Sequence, residues 1–81
     1  MMQTATFQSE TAEVRVTPIG TFQEDRQPHP FEVEVRPLAV LLLPETFEVT
    51  APYYFLAASE ALDRFKDRYG LDASETWTLN G

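Results

Sequence analysis

Residues 31–43 read FEVEVRPLAVLLL, and the change of pattern at Pro37 decides the fold. Before the proline, Phe31, Val33 and Val35 alternate with Glu32, Glu34 and Arg36. A period of two belongs to a strand with one face in a core and the other in water. After it, Leu38, Ala39, Val40, Leu41, Leu42 and Leu43 are apolar without a break. A strand continuing in phase would send Leu38, Val40 and Leu42 to the side of Glu32, Glu34 and Arg36. One sheet face would then turn from acidic to apolar midway, and a helix, another segment or a second molecule would have to cover it. Pro37 cannot donate to a ladder and belongs at an edge, a bulge or a strand boundary. A bulge would re-phase the run and turn Leu38, Val40 and Leu42 inward.

Upstream, residues 4–8 (TATFQ) form a candidate strand with Ala5 and Phe7 on one side. Residues 12–17 form a second, with Ala12, Val14 and Val16 inward and Glu13, Arg15 and Thr17 outward. The polar link 9–11 makes them a hairpin, which Pro18, Ile19 and Gly20 end. Residues 24–30 (EDRQPHP) read as an exposed, extended, proline-stiffened loop.

Downstream of the apolar run, Pro44 and Glu45 mark a turn, and residues 46–50 (TFEVT) suit a short strand with Phe47 and Val49 inward. Residues 52–69 follow as one long helix. Tyr54, Phe55, Ala58, Ala61, Leu62, Phe65 and Tyr69 recur at helical spacing. Pro52 suits the first turn, where its missing N–H costs nothing. Gly70 is placed to be the left-handed residue that stops the helix, with Leu71 folding back onto Phe65. Arg64, Lys66 and Arg68 sit toward the end where the helix dipole favours positive charge. Residues 72–75 resemble a cap, and 76–79 alternate again as a last strand with Trp77 and Leu79 inward. The fold expected is α+β: an antiparallel sheet of four to five short strands with one long helix, about 52–69, packed on one face.

A chain of 81 residues makes a single domain, 1–81, with one thin core and little stability to spare. It has no cysteine, so disulfides, thiolate nucleophiles and zinc–thiolate sites are excluded. No secretory signal or membrane span is visible, and a cytoplasmic location is expected. The net charge is −7, from thirteen acidic and six basic side chains. Such a surface repels nucleic acid and anionic lipid and attracts basic partners. Neither direct nucleic-acid binding nor membrane binding is expected.

Catalysis needs a nucleophile beside a base, a metal cluster or a phosphate-cradling glycine loop. The chain has one histidine and three glycines, the glycines far apart at 20, 70 and 81. His29 lies between Pro28 and Pro30 in the polar loop, which holds a general base poorly. No enzyme, no catalytic residue and no cofactor are expected. Glu24, Asp25, His29 and Glu32 form an oxygen-rich set with one imidazole that would suit a divalent ion if it converged. That makes a small-ligand or divalent-metal binding protein an alternative.

The surfaces carry more. Glu13, Glu32, Glu34 and Glu48 are expected to share the sheet face away from the helix, where they form a partner-binding surface. Leu38, Val40 and Leu42, with Tyr53 and Leu56 on the far side of the helix, form candidate apolar patches for a partner or a dimer. The function expected is a small acidic non-catalytic protein–protein interaction module, a regulator or inhibitor docking on a basic macromolecule. A nucleic-acid mimic of phage or mobile-element type is one form of it. A homodimer is expected, and a structural subunit of a larger assembly is the alternative.

Overall fold

The computed structural model describes residues 4–20 and 28–70, and the backbone of 77–79. Strands β1 (Ala5–Ser9) and β2 (Ala12–Pro18) make the expected hairpin, with Phe7 opposite Val14. Its tight connection is held by the buried Ser9 hydroxyl. That oxygen accepts from the N–H of Ala12 at 3.1 Å and of Thr11 at 3.3 Å, and it donates to the Ala12 carbonyl at 3.1 Å. Strand β3 (His29–Pro37) runs antiparallel to β2, setting Val35 opposite Val14 and Val33 opposite Val16. Strand β4 (Glu45–Ala51) flanks β3, with Val49 opposite Phe31. Strand β5 (Trp77–Leu79) pairs with β1. Among the described residues the sheet has five strands in the order β4-β3-β2-β1-β5, every pairing antiparallel.

Helix α1 (Tyr54–Arg68) crosses one face of this sheet. Beneath it lie Val14, Val16, Phe31, Val33, Val35 and Val49, all buried. The β-branched residues suit the pleat, and the alternation in β2 and β3 sends every second residue to this side. The helix answers with Ala57, Ala58, Ala61, Leu62 and Phe65. Its alanines let backbone approach the valine layer closely, while rings close the ends. Phe55 meets Phe7 edge-on at 5.5 Å, and Tyr54 lies 5.1 Å from Phe31. Tyr53 is the N-cap and Tyr69 the C-cap, so the helix begins two residues later than Pro52. Gly70 takes φ +65°, the left-handed stop its position implies, and its N–H reaches the Asp67 carbonyl at 3.3 Å.

The strand of 31–43 ends at Pro37, so neither a continued in-phase strand nor a re-phasing bulge occurs. The N–H of Ile19 bonds Pro30 O at 3.0 Å and that of Leu38 bonds Thr11 O at 2.9 Å. Since N–H directions alternate along a strand, even-numbered residues of β3 aim at β2 and odd-numbered ones at β4. Pro37 therefore aims its missing donor at β4's side, beyond Glu45 where β4 begins, and costs no ladder bond. Leu38 to Leu43 belong to the connection between β3 and β4.

His29 is also misplaced by the loop reading. It opens β3 opposite Ala51, is buried, and meets the Phe31 ring at 5.4 Å. A proline on each side favours extended backbone, which a strand start uses as well as a loop does. Tyr69, expected in the core stripe, is 40% exposed, whereas Ala57 and Lys66 are buried. Glu24, Asp25, Leu71, the cap-like 72–75 and the inward side chains of Trp77 and Leu79 lie outside the described residues.

Candidate functional site

The register places Glu13, Glu32, Glu34 and Glu48 on the face away from α1, with Glu13 toward the far end of the face from Glu32 and Glu48. Glu32 stands directly opposite Glu48 across β3–β4. Like charges at opposed positions repel, so this is the most acidic part of the face. The same face carries the two arginines that the alternation sends outward with the glutamates, and the register shows what they stand against. Arg15 stands opposite Glu34 and Arg36 opposite Glu13, and Arg15 Nε bonds Glu13 Oε1 at 3.0 Å. A shallow depression of ≈ 270 Å³ lies among Thr4, Arg15, Thr17, Glu32, Glu34 and Thr46. The face is thus mixed at its centre and acidic toward β4.

The apolar residues divide. In the β3–β4 connection, Leu42 tucks against the core and Leu42 N–H bonds Ala39 O at 3.2 Å. Its neighbours point outward: Leu38 is 56% exposed, Val40 95%, Leu41 92% and Leu43 74%. Leu42 is therefore an anchor, and Leu41, left out of the expected set, joins the patch. A cavity of ≈ 270 Å³ opens beside it, walled by Pro37, Leu38, Ala39, Leu42 and Phe65. Tyr53 and Leu56 are 55% and 47% exposed, but they belong to the first turns of α1. The connection lies by the helix's other end, where its cavity reaches Phe65. The two apolar patches are separate.

Arg68, in the last turn of α1, sits over the Phe47 ring at 5.9 Å and is paired with Glu45, tying helix to edge strand. His29 shares the helix-facing side of β3 with Phe31, while Glu32 lies on the other side, so the candidate metal set is divided between two faces. Among the described residues there is no group of three or more His, Asp or Glu able to hold a metal ion. No helix among them is long and apolar enough to cross a membrane. No protein-family model, curated protein or solved structure matches this chain.

Proposed function

We propose that the protein is a non-catalytic interaction module, a small regulator or inhibitor that docks on a basic macromolecular partner. The observation that carries this reading is the β3–β4 connection. Four large aliphatic side chains stand in water there, around a fifth that anchors the loop. Single exposed leucines are ordinary, but a contiguous group beside an apolar cavity marks an interface. The net charge of −7 would speed encounter with a basic partner.

The arginines on the open sheet face weigh against the mimic form of this reading. A surface imitating nucleic acid needs unbroken negative charge, and Arg15 and Arg36 interrupt it. The acidic edge serves steering better than imitation.

A homodimer is supported by energetics. Burying a Val or Leu side chain fully is worth about 1.5–3 kcal/mol, against an association cost of about 4–15 kcal/mol. One loop against a flat surface is marginal. Two loops inserted reciprocally into each other's cavities, about a two-fold axis, bury twice as much, and the partner then docks on the dimer they form, through its acidic faces.

The test is capture from a cell extract with wild type, with Val40→Ser/Leu41→Ser, and with Glu32→Lys/Glu34→Lys. One and the same partner should be retained by wild type, lost by the loop variant and captured more slowly by the charge variant. A partner held equally by all three contradicts the proposal.

A further inference from the structure

Among the described residues, strand β4 is paired on one side only. Its odd-numbered residues answer the odd-numbered residues of β3, so Thr46, Glu48 and Thr50 direct their N–H and C=O groups outward. All three are exposed. Such an edge is a template for another strand, and proteins blunt it most effectively with proline, lysine or a bulge, while its own charges, here Glu45 and Glu48, turn away strands of like charge. Proline, lysine and bulge are all absent from β4, whose register with β3 is continuous over its seven residues. Beside its C-terminal half, a groove of ≈ 360 Å³ runs between β4 and α1. Ala51, Pro52 and Leu56 give it an apolar wall, and Glu60 and Asp63 line its helix side.

We propose that the outer edge of β4 and this groove bind an extended basic peptide segment of a partner protein, added to the sheet as a further strand. Main-chain bonds to Thr46, Glu48 and Thr50 supply register, and alternate side chains supply specificity. Residues facing the open side meet Glu48 with Glu32 beside it, which selects lysine or arginine. Residues facing the helix side enter the groove, which selects an aliphatic side chain bordered by Glu60 and Asp63. Charge also opposes one pairing with a second copy: a two-fold centred on Glu48 sets that carboxylate against itself.

This inference rests on the interaction reading above but uses a different surface, so the two fail separately. The probe is a synthetic octapeptide of alternating lysine and valine, compared with its N-methylated form and a glutamate–valine counterpart. Binding is read by fluorescence anisotropy and by amide NMR shifts of the full chain. The lysine peptide should bind, weaken with salt, and shift the amides of Thr46, Glu48 and Thr50. N-methylation at the positions facing β4 leaves charge unchanged and should weaken binding by about tenfold or more through lost hydrogen bonds. Glu48→Lys should weaken it about tenfold, while Val40→Ser/Leu41→Ser should leave it unchanged. Equal binding of the N-methylated peptide, or shifts confined to the open face or the 38–43 loop, overturns the proposal. So does concentration-dependent protection of the Thr46, Glu48 and Thr50 amides without peptide, which would assign the edge to a second copy.

Discussion

At the scale of single residues, Ser9 shows how much rests on one hydroxyl. Its oxygen bonds two backbone N–H groups and one carbonyl in a buried turn. Ser9→Ala should lower stability by about 1–3 kcal/mol, because buried backbone groups are left unsatisfied. Urea denaturation measures this, and an unchanged midpoint would remove Ser9 from that role. The turn itself is legible in the sequence as a polar link between two alternating runs. Ser9's burial is not, since serines are mostly exposed. His29 misleads for a related reason: flanking prolines report extended backbone but not whether a strand partner is waiting. Lys66 stands out in the sequence for its charge, whereas its long apolar stem lets it lie in a buried position of α1.

At the scale of elements, the strands and helix follow closely from periodicity. The alternation of residues 31–36 names the central strand and its inward side chains, and helical spacing over 54–65 names the face against the sheet. Gly70, with φ +65° and no atom within 4 Å of where a Cβ would stand, tests the helix stop. Gly70→Ala has room and is opposed only by its backbone conformation, so it should cost about 1 kcal/mol by denaturation. A neutral result would mean the last turn adjusts freely. The apolar run 38–43 is the part the pattern does not resolve, because a short greasy stretch reads alike as buried strand or exposed loop. The placement of Pro37 decides it, and that depends on where β4 begins. At dilutions where both proteins are monomeric, Val40→Ser/Leu41→Ser should shift the unfolding free energy by no more than about 0.5 kcal/mol, as exposed substitutions do. A loss well beyond that would mean these side chains serve the chain's own core.

At the scale of the whole molecule, charge and apolar surface make opposite predictions about salt. The acidic total is plain in the sequence, as is the gathering of Glu13, Glu32, Glu34 and Glu48 on one face. The cross-strand placement of Arg15 and Arg36 among them needs the register, as does the separation of the loop from Tyr53 and Leu56. Two protomers of charge −7 repel, so self-association through the loop should strengthen as salt screens them. Binding of a basic segment should weaken over the same range. The most direct measurement is the native mass by light scattering at low and high salt, for wild type and Val40→Ser/Leu41→Ser. A wild-type dimer, firmer at high salt, and a monomeric variant at both salts are expected. A wild-type monomer at both salts, or a dimer that the double substitution leaves intact, would contradict the assignment of the 38–43 loop as the self-association surface.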